Sequence, residues 1–177
     1  MSRLWFLSPP WRLFAIRDAG IVLISLICWM CASQFDPLAW IAGAGLALSA
    51  YLFHEWSHLW AAQRVGAAVQ PAKKWYALFL FNMSPNEISR EAFSLISLAG
   101  FVATLIYLLV FLGLPKSVST QTALVLGQGL ATLTLIFEAP IALWSMVKNA
   151  VPPWAFQGLI GSTDPLQGDG GQSGSVG

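Results

Sequence analysis

The chain holds two histidines in 177 residues, and both fall in His54-Glu55-Trp56-Ser57-His58. On a helix, residues four apart share a face, so the two imidazoles can aim at one point. Zn²⁺ requires that of its first two ligands, and Glu55 then stands beside the metal as a general base toward water. A third ligand has to come from elsewhere. The carboxylates are Asp18, Asp36, Glu55, Glu87, Glu91, Glu138, Asp164 and Asp169. Asp18, Asp36, Glu87 and Glu91 flank apolar runs and read as solvated helix ends. Asp164 and Asp169 fall in a Gly- and Ser-rich tail. Glu138 lies inside an apolar run, where an insertion cost of about 2.5–3.5 kcal/mol calls for a partner. Two readings of it stand: third zinc ligand, or protonated carboxyl hydrogen-bonded to a neighbouring helix.

The elements that position these residues are apolar. The chain is 56% hydrophobic and 10% charged, with mean hydropathy +0.66. So few charges cannot cover a water-soluble globule, and an integral membrane protein is expected. A net charge of +1 gives no case for nucleic acid. Trp5, Trp11, Trp40, Trp60, Trp75 and Trp154 fall near the ends of apolar runs, as an interfacial belt would. Cys28 and Cys31 form a C-x-x-C within an apolar helix and read as packing residues rather than a redox pair. No cleavable signal peptide is expected: residues 1–18 are basic but contain Pro9 and Pro10, with no small-residue cleavage site after the run that follows.

Residues 1–18 read as an interfacial segment, residues 19–160 as a membrane core and residues 161–177 as a disordered tail. Within the core, 19–35 is just long enough to span. After the turn signal Asp36-Pro37, a second run continues from Leu38 to about Arg64. Its Ala42, Gly43, Ala44, Gly45, Ala47 and Ala50 permit close helix packing. Residues 92–115 and roughly 119–147 supply two further spans. Between the second and third, Trp75 to Phe81 reads as a strand or short hairpin, and Ser84-Pro85 as the start of the next helix. The fold class expected is an all-α polytopic membrane protein of about four transmembrane helices with a short strand or hairpin in that loop. Lys and Arg favour the N-terminal segment and the 63–90 connection. This predicts N- and C-termini in the cytoplasm and the histidines near the cytoplasmic end of the second span. Two histidines and a glutamate at membrane depth imply a polar, water-accessible cavity.

Taken in order, these parts resemble the site-2-protease type of intramembrane zinc metalloprotease. The resemblance rests on His54-Glu55-Trp56-Ser57-His58 followed by Ala61-Ala62 and Arg64-Val65-Gly66, then on Ser97-Leu98-Ala99-Gly100, and on Asn149-x-x-Pro152 with Gln157-Gly158. It covers most of residues 10–158. It implies a bacterial inner-membrane enzyme that hydrolyses membrane-spanning protein substrates with Zn²⁺ as cofactor, His54 and His58 as ligands and Glu55 as base. It also implies Asn149 as an oxyanion donor. Gln157 stands where the family carries its Asp ligand, and Phe101 where it usually has Pro. A neutral amide is a poor zinc ligand. Hence either another carboxylate, Glu138 first among them, completes the site, or the chain is a catalytically inactive pseudoprotease that binds client helices. A small metal-binding or transport protein is a third class, disfavoured by the lack of an internal repeat. Substrate, regulatory partner and oligomeric state are not written in the sequence.

Overall fold

The computed structural model describes residues 8–77, 79–83 and 88–151. Four long helices and a two-stranded antiparallel sheet make up its regular structure: α1 (Pro9–Cys31), α2 (Asp36–Arg64), β1 (Val69–Pro71), β2 (Phe81–Met83), α3 (Arg90–Gly113) and α4 (Val118–Lys148). All four helices are long and apolar enough to cross a membrane.

The helix ends follow from local chemistry. Proline occupies the first turn of α1 and of α2, where its missing N–H costs nothing. At the end of α2, Gly66 takes φ +74°. The N–H of Ala67 reaches back to the Ala62 carbonyl at 2.9 Å and that of Gly66 to Gln63 at 3.3 Å. This paired closure needs a left-handed residue, which glycine supplies without strain. Ser89 caps α3 by accepting from the Ala92 N–H at 3.2 Å. Ser117 and Thr120 form a reciprocal capping box at the start of α4.

The central helix is α2, which packs against α1, α3 and α4. Its small residues set how closely they approach. A Cβ at Gly43 would meet Thr122 Cβ at 2.5 Å and the Ser119 carbonyl at 2.8 Å, both on α4. A Cβ at Gly45 would collide with the Ser25 hydroxyl of α1. One apolar cluster joins Trp11 and Phe14 of α1, Leu59 and Ala62 of α2, Ile96 of α3 and the hairpin residues Leu80, Phe81 and Met83. The hairpin is thus packed onto the end of the bundle where α2 finishes and α3 begins. Its register pairs Val69 with Met83, Gln70 with Asn82 and Pro71 with Phe81.

Three boundaries differ from the sequence reading. Residues 9–18 are not a separate interfacial stretch; they form the first turns of α1, because Pro9 starts a helix and nothing after it stops one. The hairpin is present, but Trp75–Ala77 form its connecting turn and the strands flank them. Helix α3 is capped by Ser89 rather than Ser84, and 84–87 lie outside the described residues, as do 1–7 and the tail from 152. Cys28 and Cys31 are free, half-buried thiols.

Close approach of α2 and α4 predicts that Gly43→Ala destabilises the protein by about 1–3 kcal/mol, the cost of overpacking a tight contact. Gly20→Ala, where a Cβ meets nothing within 4 Å, should be neutral or slightly stabilising. Denaturant unfolding in detergent micelles, followed by circular dichroism, distinguishes the two.

Candidate metal centre

His54 and His58 occupy one face of α2 and are both buried. Across from them runs α3, whose backbone carbonyls they engage. The Nδ1 atom of His58 lies 2.7 Å from the Ile96 carbonyl oxygen. That of His54 lies 2.9 Å from the Gly100 carbonyl and 2.9 Å from the Thr104 hydroxyl. A carbonyl can only accept, so each Nδ1 carries the proton and each Nε2 presents a lone pair. The two rings stand perpendicular, with centroids 4.4 Å apart. Their Nε2 atoms are 2.9 Å from each other.

Glu138 of α4 completes a triangle. One carboxylate oxygen lies 3.1 Å from His54 Nε2 and the other 3.4 Å from His58 Nε2. The three ligand atoms all fall within 4.8 Å of one another. Tetrahedral zinc with bonds of about 2.0–2.1 Å separates its ligand atoms by about 3.4 Å, so the triangle has close to the required edge. The donor set fits as well as the size. Two imidazole lone pairs and a carboxylate converge, and a cation is the natural complement to three acceptors at one point.

The elements bring these groups to one depth. His58 and His54 lie six and ten residues before the end of α2, Ile96 and Gly100 six and ten after the start of α3, and Glu138 ten before the end of α4. At about 1.5 Å per residue the site sits about 9–15 Å from the hairpin end of the bundle. Gly100 is required where α3 crosses α2, because a Cβ there would collide with both imidazole rings.

Glu55 is buried on the adjacent strip of α2. Its carboxyl lies near both histidines, Glu138 and the backbone of Leu80 just before β2. Tyr51, one turn earlier, is a further neighbour. A cavity of about 20 Å³ beside His54, lined in part by Tyr51, Thr104, Tyr107 and Thr134, has room for one water. Glu138 is the most accessible member of the cluster, its side chain 30% exposed.

The remaining sequence expectations fare differently. Asn149 is not brought to the cluster. It is the exposed, left-handed C-cap of α4, with its side-chain oxygen accepting from Arg90, and it lies eleven residues, about 16 Å along the helix, from Glu138. Gln157, Asp164 and Asp169 lie outside the described residues. Asp18 is not a solvated helix end: it is buried and accepts from the Trp56 indole N–H at 2.7 Å. Sequence reading also passed over the Ile96 and Gly100 carbonyls and Thr104. Only the Ala99-Gly100 pair hinted at a close helix approach there. No family model, curated protein or solved structure matches the chain.

Detergent-purified protein is expected to bind about one equivalent of Zn²⁺ per chain. His58→Ala and Glu138→Ala should abolish stoichiometric binding, while Asn149→Ala and Gln157→Ala should retain it. Gly100→Ala, which displaces both rings, should weaken affinity by about 10–100-fold. Elemental analysis and competition with a chromogenic chelator measure both.

Proposed function

We propose that the protein is an intramembrane zinc metalloprotease of the site-2-protease type, acting on membrane-spanning protein substrates. The observation that carries this reading is the convergence of His54, His58 and Glu138 with Glu55 buried beside them.

Membrane residence is supported by the distribution of polarity. Ile24, Met30, Leu109, Leu112, Leu143 and Val147 are exposed, whereas Asp18, His54, Glu55 and His58 are buried. That is the reverse of a water-soluble bundle and suits a hydrocarbon solvent, in which polar groups must find partners internally. Arg12, Arg64, Lys73, Lys74, Arg90 and Lys148 gather toward the hairpin end, against Lys116 at the other. By the positive-inside rule the hairpin end faces the cytoplasm, with both termini on that side and the inner membrane of a bacterium as the location.

His54, His58 and Glu138 would hold the metal. Bound there, Zn²⁺ would supply the acidity that turns water into a nucleophile near neutral pH and would polarise a scissile carbonyl. The chain's own groups do the rest. The Ile96 and Gly100 carbonyls keep the imidazoles in the ligating tautomer. Glu55 takes the proton from water and returns it to the leaving amine. Beside it, β2 pairs with β1, and an extended substrate strand would add to this sheet, since a helical peptide bond is closed to attack.

The departures at Gln157 and Phe101 favour a second reading, a pseudoprotease that binds client helices without cutting them. Glu55→Gln separates the two. With Glu55 as base, the variant keeps its zinc and loses cleavage of a labelled single-span substrate by about 10²-fold or more. Wild type that binds zinc and releases no cleavage product supports the pseudoprotease instead.

A further inference from the structure

The geometry points to Arg17 and Asp18 of α1 as a paired latch that positions the hairpin over Glu55. The inference rests on the proteolytic reading for its purpose, but not for its structure. Both residues sit about 12 Å along α1 from Pro9, in a helix whose only other charge is Arg12. Charges at such a position are costly and persist where they have partners. Here the partners lie on two different elements.

Asp18 accepts from Arg17 Nε at 2.6 Å through one oxygen and from the Trp56 indole at 2.7 Å through the other. Trp56 is the residue next to Glu55, so Asp18 bolts α1 to the catalytic stretch of α2. Arg17 Nη1 donates to two backbone carbonyls in the turn of the hairpin, Trp75 at 2.6 Å and Ala77 at 2.7 Å. The same hairpin then returns to the site, where the backbone of Leu80 comes near Glu55. The contacts close a ring: Glu55 and Trp56 on α2, Asp18 and Arg17 on α1, the turn at 75–77, and Leu80 back to Glu55.

The guanidinium is suited to this role because its planar fork can serve the carboxylate with one nitrogen and the turn with another. Lysine, with a single nitrogen, cannot. Arg17 Nη2 is buried without an acceptor among the described residues, so the hold on the turn is made by Nη1 alone. The hairpin's two strands are three residues each, too short to be stable alone. Arg17 is therefore a positioning residue, acting on Glu55 through the hairpin and through Trp56.

Hydrogen–deuterium exchange on the full chain in detergent tests the latch without any substrate. In Arg17→Gln, amides in the 69–83 segment should exchange about tenfold faster or more, while α3 and the middle of α2 stay protected and zinc stoichiometry is unchanged. Arg17→Lys, which keeps the charge beside Asp18 and reads the outcome if the Gln variant fails to accumulate, should give an intermediate increase confined to the same segment. Trp56→Phe, which removes the indole N–H together with part of the ring, should loosen the segment less than Arg17→Gln does. Exchange of 69–83 within twofold of wild type in both Arg17 variants overturns the proposal. So does a loss of protection spread evenly through α2 and α3, which would make Arg17 a general packing residue. Zinc-free wild type would count against the protease reading and leave this measurement intact.

Discussion

Two imidazole nitrogens 2.9 Å apart, each with its lone pair turned inward, are the constraint on which the rest of this structure depends. Left alone in an apolar bundle they repel each other and the carboxylate beside them. A cation held between them would turn that repulsion into attraction. Such an arrangement survives only if the surroundings forbid the rings to turn away. The α3 carbonyls of Ile96 and Gly100 do this from behind, by holding the Nδ1 protons. Gly100 allows it by letting the α3 backbone come close enough to be a hydrogen-bond acceptor for a side chain on α2. The absence of one methyl group and the tautomer of two histidines are therefore linked.

The same economy of small residues recurs along α2. Gly43 admits α4, Gly45 admits α1, and Gly100 of α3 answers the histidines. Gly127 on α4 fits against the Tyr107 ring, whose hydroxyl donates to the Ala123 carbonyl at 3.1 Å. In hydrocarbon no hydrophobic force drives helices together, so close backbone approach and interhelical polar contacts have to hold the bundle. Glycine supplies the first and the buried polar groups the second. A metal held by His54, His58 and Glu138 would add a third tie, joining α2 to α4.

The helices were legible in the sequence because their signal is length and continuous apolarity, which no tertiary contact needs to supply. The His54–His58 pair was legible because four-residue spacing on a helix is local geometry. Glu138 was legible only as an anomaly: a carboxylate in an apolar run demands a partner, but the sequence does not name which. The structure places the two histidines around it. What could not be read were contacts that depend on helix rotation. Asp18 looks like the end of a span because an uncharged stretch follows it, yet α1 begins nine residues earlier and Asp18 turns inward toward Trp56. Asn149 looked like a site residue because Asn149-x-x-Pro152 resembles a motif of the intramembrane metalloproteases, whereas the length of α4 carries it well past the cluster to a helix cap. The hairpin was found but displaced, since Trp75 and Tyr76 occupy the turn and Phe81 opens the second strand.

Placing a ligand on α4 has a mechanical consequence. Glu138 is carried by a helix of 31 residues and cannot adjust as a loop ligand would, so the position of α4 sets the third vertex of the site. Pro140 lies two residues further along and has no N–H to give the Ile136 carbonyl, which interrupts the hydrogen-bond ladder around Glu138. The helix is softened near the point where it meets the histidines, while its ends are fixed by the Ser117 capping box and by the contact of Asn149 with Arg90. The histidines are held rigidly by α3, and the carboxylate rides on the more compliant and more exposed partner.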